Sequence, residues 1–469
     1  TYKPLDEPVA RKLADDIKAR YVIEKPQALE DRTHQFYHDI AQSVYDCLSP
    51  RLQAGRFDSL GIIGTGGIGG AVADLALGQA GIKKVYLYNG KNRAKAELLA
   101  GNLNERILRQ TQGMSTSPLE ISIVDDASEM KFNCGIIIYA VGDRKKEFEL
   151  ARRHMSRRDF LRSNINAALF YSEKLLGYGG IILPVTNPVA PIQAVLHAGV
   201  SYEKTEESEI AHRCISEGLN MSDRSRCIQA LIPIAKVLGL IENGNGGMTA
   251  ESIAGIDVKI VGPRDDFQII DPRIKGYSLS QLQELAREKG LNPNAYSVGN
   301  LLTLLKGGIR NMGIRKIVEA ADYFPAVYGR QLLDHLRSIN NIKNLQNKEI
   351  IPPAVALVDL FKDSDFGESA DRRMAYREGK KRRKQRGSLH EVYERHFPNG
   401  VFTSWEISHE NGVPKNVSIP LGSHKKRRAL LEALLDERAL LMSSLDTCRG
   451  DLAPQAEKVK RFFTEKLSP

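Results

Sequence analysis

Cysteine is scarce in this chain: Cys47, Cys134, Cys214, Cys227 and Cys448 are all that 469 residues contain, and no two stand in C-x-x-C spacing. An odd, scattered set indicates neither a disulfide framework nor a zinc site, so a reducing cytoplasm is the simplest home. Long apolar runs are missing too. Nothing approaches the ~20 residues that cross a bilayer, and the first residues do not read as a signal peptide, which sets a membrane role aside.

Hydrophobic residues make up 42% and charged residues 26%, the balance of a soluble globular protein. The length suffices for about two or three domains at the usual ~150 residues each. The net charge of +10 favours acidic partners, yet much of it is local: nine Lys or Arg fall between Arg372 and Arg386, with a second run from Lys425 to Arg428. The tract at 378–388, EGKKRRKQRGS, has no interleaved aromatics and no nucleic-acid module around it. It reads as a solvated loop within an insertion, with nucleic acid a partner not favoured.

What is present begins with SLGIIGTGGIGGAVADLAL at residues 59–77, where Gly64, Gly66 and Gly69 stand in G-x-G-x-x-G spacing. Gly64 takes a tight turn and Gly66 lets backbone approach a pyrophosphate. Gly69 lets the next helix pack on the strand with its N-terminus toward the anion. The context supports this over an ordinary glycine-rich turn: Leu60 to Ile63 predicts a buried strand, Ala71 to Gln79 a helix, and Lys84 to Tyr88 a second strand about twenty residues on.

Residues 1–56 alternate charged and apolar positions at helical spacing, with Pro26 between two expected helices, and form an extension ahead of the nucleotide fold. From Leu60 to about Gly199 apolar β-rich runs alternate with helical patterns; the runs are Leu60 to Ile63, Val85 to Tyr88, Ile121 to Val124, Gly135 to Val141 and Ile181 to Val185. That alternation predicts a doubly wound parallel sheet. Beyond Ser201 the pattern is mixed. Helices are expected at 206–217, 225–238, 278–289, 298–305 and 326–338, a strand pair at 402–408 and 416–420 about an Asn411-Gly412 turn, and a long helix from Lys425 to Leu445. The expected domains are 1–56, 57–200 and 201–469, the last carrying a divergent basic insertion around 263–400.

The segment IIIYAVGDRKKEFELARRHMSRRDFLRSNINAALF, followed by GGIILPVTNPVAPIQAVL, resembles the lactate and malate dehydrogenase superfamily. There a strand ends in an Ala-Gly turn, a mobile arginine loop follows, then a Met-x-Arg-x-Asp helix start, and an Asn-Pro-Val after the next strand. MSDRSRCIQAL resembles the family's Asp-x-x-Arg helix, and PKNVSIPLG with RRALLEALLDERALLMSS its closing strand and helix. The resemblance implies a Rossmann-type sheet followed by a mixed α+β C-terminal domain. It also implies a homo-oligomer and NAD(P)-dependent hydride transfer on a 2-oxo or 2-hydroxy acid.

Carried over by position, Asn187 would meet the nicotinamide side and the substrate hydroxyl, and Arg226 would clamp a carboxylate in two-toothed fashion. Arg157 would polarise the reacting oxygen, and Arg144 would greet a second carboxylate, suggesting a dicarboxylate. Each arginine also reads as a solvated surface charge. The Arg144 loop runs on through KKEFELARRH before Met155, longer than the family's.

Two departures stand out. The family's proton-transferring histidine sits in a Gly-x-His turn, and the corresponding VKIVGPRDD holds Arg264. Asp223 survives as the orienting carboxylate, but an arginine stays protonated and cannot pass a proton back and forth. His154, His197 and His212 are the alternative proton carriers, each more readily a structural or surface histidine. Second, NAD-specific members end the second strand in an acid, whereas VYLYNGKNR places Asn89 there with Lys91, Asn92 and Arg93 behind. A neutral side chain beside cations that can pair with a 2′-phosphate favours NADP over NAD. The alternative for the whole chain is a catalytically altered or inactive dinucleotide-binding scaffold with a protein or nucleic-acid partner.

Overall fold

Five consecutive apolar runs form one parallel sheet in a computed structural model that describes residues 58–76, 82–90, 92–111, 120–142, 157–200, 231–232, 234–241, 255–263, 268–296, 353–361, 363–364, 389–410, 413–422 and 424–466. The strands are β1 (Ser59–Ile63), β2 (Lys84–Tyr88), β3 (Glu120–Ile123), β4 (Ile136–Tyr139) and β5 (Ile181–Pro184), in the order β3-β2-β1-β4-β5. Each lies within two residues of its predicted run at either end. Between them run α1 (Gly67–Ala76), α2 (Arg93–Thr111), the short α3 (Met130–Asn133) and α4 (Arg157–Lys174), and α5 (Val189–Val200) follows.

The buried strand positions are apolar because helices cover both faces, and polar residues stand only at strand starts (Ser59, Lys84, Glu120) and on the edge strand β3 (Ser122). Leu60, Ile62, Val85, Leu87, Ile136 and Ile138 point to the α1 and α2 side, where they meet Val72, Ala96 and Leu103. Ile63, Ile137, Tyr139 and Ile182 point the other way, toward Leu161, Ile165 and Leu169 of α4 and the buried α5.

The remaining described elements extend these two cores. A second sheet is antiparallel, β10-β9-β8, built from β8 (Pro353–Val358), β9 (Val401–Glu410) and β10 (Val413–Asn416). It lies in the same apolar cluster as the first face of the parallel sheet through Trp405, Ile407 and Val358. Helices α8 (His424–Leu445) and α9 (Ala453–Thr464) complete both clusters: Leu430 and Leu434 face one, while Leu441, Val459 and Phe462 face the other. A hairpin of β6 (Ile256–Val261) and β7 (Gln268–Ile274), with α6 (Leu279–Glu288) and helical backbone at 231–232 and 234–237, encloses a third, smaller cluster.

The long α8 begins one residue before its predicted start and ends where expected. The strand pair is corrected in position: β10 occupies Val413–Asn416 rather than 416–420, since Val413 pairs directly with Glu410 across the two-residue turn. The turn residues 411–412 lie outside the described residues. Beyond Asn416 the chain turns back, the Val417 N–H bonding the Glu406 carbonyl and the Ile419 N–H the Asp363 carbonyl, each about 3 Å away. Strands β6, β7 and β8, helix α7 (Leu389–His396) and α9 were not predicted. The N-terminal extension, the basic tract and the helices expected at 206–217, 298–305 and 326–338 lie outside the described residues. No described helix is long and apolar enough to cross a membrane.

Candidate dinucleotide site

Strand order reverses between β1 and β4, because the chain builds outward through β2 and β3 and then returns to the other side of β1. At such a switch point the loops leaving the two central strands part, and a crevice opens at their carboxyl ends. The glycine loop leaves β1 there.

Gly64 has φ of +100°, and a β-carbon on it would come within 2.6 Å of the Ala140 carbonyl oxygen after β4. Its N–H donates to the Tyr88 carbonyl at the end of β2 (2.9 Å), so the turn is tied to both neighbouring strands. Gly69 lies against the Gly64 carbonyl and the Ile62 side chain, leaving no room for a β-carbon. Gly66 is the opposite case: it is exposed, and a β-carbon there would meet nothing within 4 Å. Two glycines therefore close the turn while the third leaves space at the start of α1, whose first N–H groups lack intrahelical acceptors. That combination of open backbone and helix N-terminus fits a pyrophosphate.

The rim beside the cradle is wired by side chains. The Asn89 amide Nδ2 donates to the Thr65 hydroxyl at 2.8 Å, linking the end of β2 to the glycine loop. Asn92 Oδ1 accepts from the Lys95 N–H and caps α2. Arg93, expected to stand ready for a 2′-phosphate, is instead engaged: its Nε donates to Glu97 Oε1 at 2.9 Å and its Nη1 pairs with Asp125. Beneath the rim, Tyr88 and Tyr139 each meet Tyr171 of α4 edge to face. Burial raises the Tyr171 hydroxyl to about 12 and the Tyr139 hydroxyl well above its ordinary value, so both stay protonated and neither serves as a base near neutrality.

On the other side of the switch point, the loop after β5 is clasped to the loop after β4. Thr186 Oγ1 donates to the Val141 carbonyl (2.7 Å), and Nδ2 of the buried Asn164 donates to the Asn187 carbonyl (2.7 Å). The peptide between Asn187 and Pro188 is cis. The Thr186 and Asn164 bonds hold Asn187 next to the loop after β4, against which Gly64 packs, and Asn89 and Arg93 stand on the β2 side of the glycine loop.

The remaining expected residues are not all brought into view. Arg157 is the first residue of α4, and its side chain lies outside the described residues, as do Arg144, Asp223, Arg226 and Arg264 entirely. His154 and His212 also fall outside them. His197 is described: it is buried in α5 with its ring centroid 5.1 Å from that of Phe402 and 5.4 Å from that of Phe462, which makes it a core residue of the α5 and α9 junction. Sequence reasoning missed Thr65, Asn164, Thr186 and Asp125. Thr65 lies inside the glycine fingerprint and was open to notice; nothing in the sequence links Asn164 to Asn187 or Asp125 to Arg93.

No protein-family model matches this chain, and no curated protein matches it. Solved structures do. A lactate dehydrogenase from a Medee basin deep-sea metagenome library is 16% identical with a TM-score of 0.53, the similarity covering 84% of this chain and 99% of that one. The minor L-lactate dehydrogenase of Enterococcus mundtii is 16% identical with a TM-score of 0.54, over 84% and 99%. The malate dehydrogenase of Picrophilus torridus is 18% identical with a TM-score of 0.53, over 83% and 99%. The chain therefore has the fold of the lactate and malate dehydrogenases, with a sequence only 16–18% identical to these three.

Proposed function

We propose that this protein is an NAD(P)-dependent oxidoreductase that exchanges a hydride between nicotinamide and a 2-oxo or 2-hydroxy carboxylic acid. The observation that carries the reading is the open Gly66 at the switch point of a dehydrogenase-type fold, with the Asn187 carbonyl held by Asn164 of α4 and the preceding Thr186 clasped to the loop after β4. The bound cofactor supplies hydride chemistry; the chain supplies position and charge. Arg226 anchors the substrate carboxylate in two-toothed fashion, and Arg157 polarises the reacting oxygen. Asn187 bonds the same oxygen side, and Arg144 takes a second carboxylate where the substrate has one. Asp223 orients the group opposite it.

Arg264 stabilises negative charge on the substrate oxygen without donating its proton, so reduction draws the hydroxyl proton from another group or from solvent. The domain division at 57–200 and 201–469, a homo-oligomeric state and a cytoplasmic location belong to the same proposal. The test is loss of NADH and NADPH absorbance with a panel of 2-oxo acids, including dicarboxylates, with Arg226→Ala as control. Turnover abolished in that variant is the expected result. Dinucleotide binding with no turnover on any acid would overturn it.

A further inference from the structure

The choice between NAD and NADP in a glycine-cradle fold is made at the end of the second strand, where an acid meets the ribose hydroxyls or a cation meets the 2′-phosphate. Asn89 holds that place and is neutral, and basic residues alone would favour the phosphate. The charges around Arg93 reverse that expectation. Arg93 opens α2, where a cation faces the positive end of the helix dipole. It is matched there by Glu97 one turn along, at 2.9 Å, and by Asp125.

Asp125 arrives from the neighbouring strand. The Val124 N–H bonds the Leu87 carbonyl of β2 at 3.1 Å, which brings the end of β3 alongside the end of β2. The Asp125 and Asp126 N–H groups both donate to Glu129 Oε1 and hold this corner in place. One guanidinium against two carboxylates leaves the trio net negative, and the Asp125 side chain is 80% exposed beside the loop that Asn89 begins. Asp126, next in line, is balanced by Lys174 at 2.8 Å and adds no free charge.

We propose that Arg93, Glu97 and Asp125 together determine cofactor choice, and that they disfavour a 2′-phosphate: the acid missing at position 89 is lent across the sheet by Asp125, and Arg93 is committed before a phosphate arrives. The inference rests on the cradle reading above. A phosphate monoester carries nearly two negative charges near neutrality, and it would meet two carboxylates whose cation is already shared. The charges are exposed, so the preference is moderate in size and weakens with salt.

Calorimetric titration of the full chain with NAD and with NADP tests this without any turnover. The wild type is expected to bind NAD more tightly. Glu97→Gln with Asp125→Asn is expected to shift the affinity ratio toward NADP by about three- to tenfold, in keeping with two exposed charge contacts. Adding Arg93→Gln to that pair is expected to erase the gain, because the freed guanidinium is what the phosphate recruits. A wild type that prefers NADP, or a ratio unmoved by the double substitution, overturns the proposal while leaving the cradle intact. Failure to bind either dinucleotide overturns both. The expected shift without turnover on any 2-oxo acid supports the cofactor determinant and refutes only the reaction.

Discussion

The parallel sheet and the C-terminal unit of β8–β10, α8 and α9 share the same two apolar cores but are held to them by different means. In the parallel sheet neighbouring strands are consecutive or nearly so, backbone bonds join them in regular register, and the loop that makes the site is closed by glycines within six residues of each other. In the C-terminal unit single side chains close the structure on distant carbonyls. Gln455 Nε2 donates to Ser172 Oγ at 3.0 Å and to the Gly199 carbonyl at 3.1 Å, and Lys458 Nζ reaches the same carbonyl at 3.2 Å. Asn399 Nδ2 caps the end of α9 through the Phe462 and Glu465 carbonyls. The Gly199 carbonyl is one of the orphans at the C-terminal end of α5, where an amide and an ammonium are well placed electrostatically. Consecutive parallel pairing makes the first region readable throughout; in the second the long helix was readable and the antiparallel sheet pairs in regular register, but the individual long-range side-chain bonds that close it were not.

The largest expected effect lies in the second region. Trp405 is fully buried at the centre of β9, its Nε1 donating to the Val417 carbonyl at 2.8 Å. Trp405→Ala should cost about 3–5 kcal/mol, read as a lowered urea midpoint by circular dichroism; an unchanged midpoint would show that the antiparallel sheet does not share the common core. Next come the glycines. Gly64→Ala sets a β-carbon against the Ala140 carbonyl at a positive φ and should destabilise by about 1–3 kcal/mol. Gly66→Ala should leave the melting temperature unchanged and lower dinucleotide affinity. Equal effects of the two on stability would sink the division of labour between them.

Asn164→Ala leaves the Asn187 carbonyl without its buried donor. It should cost about 1–3 kcal/mol and lower kcat/KM more than it lowers dinucleotide affinity; equal losses in both would make Asn164 a merely structural residue. Gln455→Ala should cost about 1 kcal/mol, seen as earlier proteolytic release of the C-terminal helix, and protection equal to wild type would count against the tie to Gly199.

The smallest effect is acid sensitivity. Burial pushes the Asp126 carboxyl up, but the Lys174 ammonium and the Ser128 N–H outweigh it and hold the carboxyl at about 2. A depressed folded pKa means stability that is complete above about pH 4 and lost as pH falls toward 2. Exposure of the pair screens the gain to under about 1 kcal/mol, and Asp126→Asn should flatten that part of the stability profile.

The parallel strands were legible because their buried positions are apolar, with polar residues confined to strand starts and the edge strand β3, and the glycine turn because only glycine meets its conformation and its close approach. Asn187 was legible through its motif. Strand β8 was not, since a six-residue run, PAVALV, carries no flanking signature that separates it from a buried loop or helix segment. Helix α9 has an apolar face at Ala456, Val459, Phe462 and Phe463 that was there to be read, yet no cap marks its start beyond a Pro in the first turn. Arg93 shows what chain order leaves out. Its basic neighbours in sequence suggested a cation waiting for phosphate, whereas its partners in space are Glu97 on its own helix and Asp125 at the end of another strand.

By itself the sequence determined the parallel sheet, its glycine turn and the long closing helix, because hydrophobic periodicity and backbone conformational limits act within a few residues. Only the tertiary structure decided which charges surround Arg93, which carbonyls receive Asn164, Asn399 and Gln455, and that His197 is a core residue. Those outcomes depend on how β2 and β3, α4 and α5, or α5 and α9 come together, and electrostatic pairing and burial are properties of neighbours that chain order does not name.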